Sequence, residues 1–170
     1  MLSPILKRSD CAACRFCCSF KRTSVWEIPI FTAENIEAIS SAHPELLSCL
    51  HSLEHEGLVH ARYDLSGYYC FDNADEEAPC PFLDPSSGCI LSPEEKPWDC
   101  RIWPLRVVRP QGSAPFISLT PTCPAINRLG KDAVRSFVKD GLEDELLQYA
   151  SMHPCLYKTD RDGFLEPLMD

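Results

Sequence analysis

Cys11-Ala-Ala-Cys14-Arg-Phe-Cys17-Cys18 places four thiols within eight residues, at two-residue spacings and then side by side. A C-x2-C turn aims two sulfurs at one point while its backbone N–H groups fold toward them, as soft-metal sites require. One such pair alone also arises in redox sites and by chance. The chained run, with more cysteines downstream, points to bound metal over disulfides or inert buried thiols. A second constellation reads Cys80-Pro-Phe-Leu-Asp, Gly88-Cys89-Ile-Leu and Lys96-Pro-Trp-Asp-Cys100-Arg-Ile-Trp-Pro104, with Cys123-Pro124 beyond it. Its spacings of 9, 11 and 23 residues suit a long irregular wrap better than a compact zinc finger.

A ferredoxin loop takes three ligands from C-x2-C-x2-C and a fourth from afar, usually followed by proline. Here Cys11, Cys14 and Cys17 match the loop, and Cys80-Pro81 and Cys123-Pro124 are the remote candidates. The eight motif cysteines (Cys11, Cys14, Cys17, Cys18, Cys80, Cys89, Cys100 and Cys123) also suffice for two four-thiolate sites. Adjacent side chains point different ways, so Cys17 and Cys18 are expected to play unequal roles. The loop and the Cys-Pro pairs favour an iron–sulfur cluster, [4Fe–4S] in particular. Zn2+ competes, because four thiolates hold it in rigid tetrahedral geometry. Cys49, among Leu46, Leu47 and Leu50, reads as a core residue, and Cys155 lies outside the motifs. Cys70 is open to either reading. His51 and His55 are four apart on an expected helix, with His60 following. No third ligand is evident, and they read as a solvated face.

The elements that must hold these thiols are short. Val25–Phe31 is an apolar stretch broken by Pro29, and Thr32 is placed to cap a helix over 33–40. A second helix is expected from Pro44 to about Glu56, stopping at Gly57, with strands over 58–63 and 68–71. Residues 79–104 hold six prolines, each fixing φ and removing a donor, so this stretch is an ordered loop. Metal ligation is the economical way to hold such a loop. Leu105–Arg109 and Pro115–Leu119 form a hairpin around Gln111-Gly112. A helix follows over 131–150, kinked at Gly141, and the tail beyond about 155 reads as loose. The expected fold is α+β: one small domain, 1–170, of few helices and short strands organised around the metal centre.

With 170 residues, 45% hydrophobic and 24% charged, the chain has the composition of a soluble globular domain. Eleven cysteines is an odd number and cannot be fully paired. No signal-peptide run or membrane span is visible, so a reducing cytoplasmic setting is expected, with no membrane partner. A net charge of −9 argues against nucleic acid as a partner. Charge is uneven: Lys7, Arg8, Arg15, Lys21 and Arg22 face only Asp10 in the first 22 residues, and acids crowd 64–99. The acidic run reads as a solvated surface. The basic residues could offset charge on ligated thiolates. Trp98 and Trp103, flanking Cys100, read as a hydrophobic shield. The glycines form neither a dinucleotide fingerprint nor a P-loop, and no G-x-S-x-G elbow exists. Catalytic residues are therefore unknown.

The order of these motifs resembles that of the C-x2-C-x2-C-C family of zinc- or iron-chelating domain proteins. The family pattern runs from the opening cluster through C-x-F-L and a cysteine followed by an aliphatic-aromatic run, to R-P-x-x-C-R-x-x-P. The corresponding residues are Cys11, Cys14, Cys17 and Cys18, then Cys80–Leu83, Cys89–Ser92 and Lys96–Pro104, so the resemblance covers about 11 to 104. Lys96 stands where arginine is common, keeping the charge but losing the planar fork. Ser92 replaces an aromatic residue, and the connection from Cys89 to Pro97 is longer. The resemblance implies a metal or cluster held in a redox or metal-handling role, with a redox or protein partner, and Arg101 donating to a thiolate or cluster sulfur. A similar cysteine pattern in a flagellin lysine methylase implies the alternative of an enzyme or enzyme subunit. A structural zinc protein is the remaining reading.

Overall fold

The computed structural model describes residues 2, 4–55, 57–70, 73–159 and 165–168. Its contacts sort into two units, Arg8–Cys100 and Met1–Lys7 with Arg101–Asp170. The fold is α+β, as the sequence implies, with short helices and antiparallel strand pairs.

In the first of these units α1 (Arg8–Cys14) ends where Arg15 turns left-handed at φ 55°. A non-glycine residue there costs about 1–2 kcal/mol. The turn throws the chain back through a single 3-10 turn, Phe16–Cys18, into β1 (Ser19–Lys21). Thr32 caps α2 (Ala33–Ala42) as expected, in a capping box with Asn35. The expected helix over 44–56 does not form. Pro44–Cys49 makes a 3-10 segment, and β2 (Leu50–His55) pairs with β3 (Leu58–Tyr63) from Leu50↔Tyr63 to His55↔Leu58. The leucines at 46, 47 and 50 mimic a helical period. The β-favouring run after Gly57, which sits at φ 78°, recruits 50–55 as its partner strand instead. Of the strand expected at 68–71, Tyr68 belongs to a 3-10 turn, and Phe71 lies outside the described residues.

β4 (Glu77–Pro79) pairs with β1, and β5 (Leu83–Asp84) pairs with β6 (Gly88–Cys89). The β5–β6 turn is closed by Asp84, whose carboxylate accepts from the N–H and hydroxyl of both Ser86 and Ser87. The proline-rich loop has protein ties of its own. Asn35 Nδ2 donates to the carbonyls of Glu94 and Lys96, Ile30 N–H donates to Asp99, and Ser92 N–H donates to the buried Glu95. Beneath these loops lies a core of Phe20, Phe31, Ile39, Tyr63, Leu65, Phe82 and Leu91, with Cys80 and Cys89 packed against it.

A short helix, α3 (Trp98–Ile102), spans the division between the units. In the second unit β7 (Leu105–Val108) and β8 (Phe116–Leu119) form the expected hairpin, Leu105↔Leu119 to Val108↔Phe116. α4 (Pro124–Asn127) follows. The helix expected over 131–150 is α5 (Lys131–Phe137) and α6 (Glu143–Met152), broken where Gly141 reaches φ 121°. α6 buries Leu146 and Ala150, one turn apart on one face. The tail is not loose where it is described. Lys158 bridges Val108, β9 (Glu166–Pro167) pairs with β8, and Leu156, Leu165 and Leu168 are buried. Three leucines with apolar surface to bury account for that order. Among the described residues no helix is long and apolar enough to cross a membrane.

Candidate metal centre

The two cysteine-rich segments are joined by backbone. Pairing of β1 with β4 runs one step past Ser19↔Pro79, where Cys80 N–H donates to the Cys18 carbonyl at 2.8 Å. Cys18 and Cys80 directly flank this pairing, and Cys80 packs against the core that holds Phe20 and Ala78. The Cys80 carbonyl accepts from Leu83 N–H at 3.0 Å, which turns the chain into β5 and sets Cys89 opposite Leu83. Gly88 lies against α1 so closely that a Cβ there would sit 3.2 Å from Ala12 Cβ. That approach brings the Cys89 hairpin beside the helix carrying Cys11. Cys100 is fixed by its N–H bond to the Pro97 carbonyl, next to the buried Asp99.

The thiols sense one another. The Cys17 thiol is pushed far up, first by donating a hydrogen bond to Cys18, then by burial and by the charges of Cys18, Cys100 and Cys11. Cys18 is the complementary member, lowered to about 7 by the Cys17 hydrogen bond and by Lys96, against the effect of burial. Cys17 and Cys18 are thus shifted in opposite directions, and their roles are unequal. Burial lifts Cys80 to about 12, with Cys18 and Cys89 adding to the rise and a Tyr63 hydrogen bond opposing it. Cys100 is raised strongly by burial, then by Cys80, Cys18, Asp99 and Cys89. Cys100 nonetheless has solvent-reachable surface.

Six cysteines are therefore brought within electrostatic reach: Cys11, Cys17, Cys18, Cys80, Cys89 and Cys100. Cys14 is exposed at the end of α1. Cys123 belongs to the other unit, buried at the start of α4, and Arg101 is an exposed residue of that unit on α3. Cys49 is half-buried at the end of a 3-10 segment, short of the core position expected of it; Cys70 is exposed and Cys155 half-buried. Among the described residues no three His, Cys, Asp or Glu side chains form a ready metal-holding group. The donor chemistry still fits a thiophilic metal. The charges of neighbouring sulfurs raise Cys17, Cys80 and Cys100, and a cation among them would reverse that penalty.

The nearby charges are used differently from the sequence expectation. Lys21 pairs with Asp75 at 2.8 Å, and Arg22 lies 3.5 Å from Glu76 while stacking over Tyr69. Arg15 Nε donates to the Ala12 carbonyl. The basic segment thus meets part of the acidic run, and Lys96, from the distant loop, is the cation that acts on Cys18. His51 and His55 lie on β2, exposed, rather than on a helix. Trp98 is buried, while Trp103 lies under the Arg106 guanidinium at 4.4 Å in the other unit. Sequence reasoning passed over Tyr63, whose signal was the alternation Ala61-in, Arg62-out, Tyr63-in along β3. No protein-family model matches the chain, and no curated protein or solved structure is significantly similar to it.

Proposed function

We propose that the Arg8–Cys100 unit is a metal-binding module that holds an iron–sulfur cluster through cysteine thiolates, in a redox or metal-handling role. The observation that carries this reading is the mutual electrostatic influence of six thiols from separate segments around the Cys18–Cys80 backbone pairing. Cys17, Cys80 and Cys100 hold their protons tightly as bare thiols, so binding would release protons and strengthen with rising pH. Lys96 offsets charge on Cys18, the function assigned on sequence grounds to the N-terminal arginines and lysines. The C-x2-C-x2-C run with Cys80-Pro81 is ferredoxin-like and favours a cluster, while six thiols are more than either one cluster or one zinc ion takes. A cluster there would supply one-electron transfer. The protein's part is to supply thiolates, keep an apolar floor beneath them and neutralise their charge. We place the cysteine order with that of the C-x2-C-x2-C-C proteins on the motif residues alone.

The test is metal and acid-labile sulfide analysis of the chain purified without air, beside Cys100→Ser. Iron with matching sulfide in the wild type, lost in the variant, is expected. Stoichiometric zinc without sulfide would replace the cluster by a structural zinc site. Full metal content in Cys100→Ser would remove Cys100 from the ligand set.

A further inference from the structure

The backbone holds two cysteines from separate segments at a separation that a disulfide can bridge. Cys80 N–H donates to the Cys18 carbonyl at 2.8 Å, one step beyond the Ser19↔Pro79 pair of β1 and β4. Standard bond lengths on either side of that hydrogen bond keep the two Cα atoms within about 6.7 Å of each other. A disulfide spans Cα separations of about 4.4–6.8 Å. Adjacent Cα atoms across a trans peptide are about 3.8 Å apart, so Cys17 and Cys18 fall short of that window. Cys89, on the next hairpin, stands opposite Leu83. Further hydrogen bonds hold both positions in place. Cys18 N–H donates to the Arg15 carbonyl at 2.9 Å, and the Cys80 carbonyl accepts from Leu83 N–H at 3.0 Å. Both residues are half-buried, within reach of a small oxidant, and the charge of Cys18 acts on Cys80 in this arrangement.

We propose that Cys18 and Cys80 form a disulfide when a hydroperoxide attacks the metal centre, and that this bond replaces the metal in joining the two cysteine-rich segments. The inference rests on the metal-centre reading above and adds a covalent state in which two of its ligands are withdrawn. One thiolate of the pair attacks a peroxide oxygen and the O–O bond breaks. The departing alkoxide takes up a proton and becomes an alcohol, or water where the oxidant is hydrogen peroxide. The second thiolate attacks the sulfenic acid so formed at its sulfur, and hydroxide leaves to take up the second thiol proton as water. Two sulfurs together lose two electrons, and the peroxide gains them. Sulfurs joined to each other no longer ligate as thiolates, so the metal loses two donors. The same bond crosslinks β1 to β4 and constrains the long loop between them.

The experiment adds hydrogen peroxide stepwise to the full-length chain, purified without air and carrying its metal, and maps its peptides without reduction. A linked pair of peptides holding Cys18 and Cys80, separated again by dithiothreitol, is expected to rise as metal is released. Hydrogen exchange of the oxidised, metal-free chain is expected to keep protection at the Cys80 amide, which the reduced and chelated chain loses. Cys89→Ser, which leaves the β1–β4 pairing alone, is expected to give the same linkage. Cys80 joined to any other cysteine, or oxidation to sulfinic acid without an internal linkage, would overturn the pairing. Loss of Cys80 protection in the oxidised chain would overturn the crosslinking role. A chain purified without metal that still forms the Cys18–Cys80 link would remove the metal reading and leave the disulfide site standing.

Discussion

Arg101–Asp170, with Met1–Lys7, is built largely from aliphatic burial: every residue of β7 is buried, and α6 adds Leu146 and Ala150 at helical spacing. Arg8–Cys100 has strands of two to six residues, an aromatic core and nine of the eleven cysteines. Ordinary side-chain packing specifies the first kind of unit, at about 1.5–3 kcal/mol per fully buried large apolar residue. The second places Cys17, Cys80 and Cys100 where burial and neighbouring sulfurs oppose their ionisation, an arrangement that would gain from the bound cation proposed above. Both units have a hydrophobic core, and on the proposed function only Arg8–Cys100 would draw further stability from a bound metal.

Metal removal should break this contrast most visibly. Binding at structural thiolate sites contributes on the order of 10 kcal/mol to folding. Stripping the protein with a chelator should therefore abolish hydrogen-exchange protection at Phe31, Ala61 and Cys80 while sparing the amides of β7 and β8. Equal loss in both regions would erase the distinction. Leu146→Ala is the reciprocal probe. It empties a fully buried position in the aliphatic unit, should cost about 2–5 kcal/mol in denaturant unfolding, and should leave metal stoichiometry unchanged. Gly88→Ala is a smaller perturbation aimed at the site's assembly. It puts a Cβ 3.2 Å from Ala12 at a φ of 86°, and a loss of about 1–2 kcal/mol with weaker metal retention is expected. Unchanged retention would show that the approach of β6 to α1 does not position Cys89.

The smallest effect concerns the β5–β6 turn. Asp84 is held well below the ordinary carboxylate range by the Ser86 and Ser87 donors. A carboxylate with a depressed folded value adds stability that is complete above about pH 4. That contribution declines as pH falls toward the folded value. Asp84→Asn should flatten this acid limb in pH-dependent melting, with a small loss of stability at neutral pH that disappears as pH falls toward the folded value. An identical acid limb in the variant would mean that the turn contributes nothing to it.

The features legible in the sequence are those set by local chemistry. Thr32 and Asn35 satisfy a helix start, Gly141 permits the kink, and the β7–β8 hairpin forms because its partners are near neighbours in the chain. β2 is not legible, because its leucines have helical spacing and its strand character comes from pairing with β3. The thiol list follows from spacing alone, but its grouping does not. Cys14 ends outward on α1 and Cys123 belongs to the other unit, facts decided by a left-handed Arg15 and by the contacts of α4. Lys96 and Tyr63 reach the thiols from segments 78 and 17 residues from Cys18 and Cys80 respectively, and no short motif encodes such an approach. The ties of Asn35 to the proline-rich loop are equally non-local.

The central claim is that the six neighbouring thiols act together as ligands, and differential alkylation tests it most directly. The protein, purified without air, is alkylated with and without prior chelation, and each cysteine is read by mass spectrometry. Cys11, Cys17, Cys18, Cys80, Cys89 and Cys100 should supply the protected set and become reactive together on chelation, while Cys123 and Cys155 keep one reactivity throughout. An alkylation pattern that is the same before and after chelation would contradict the account.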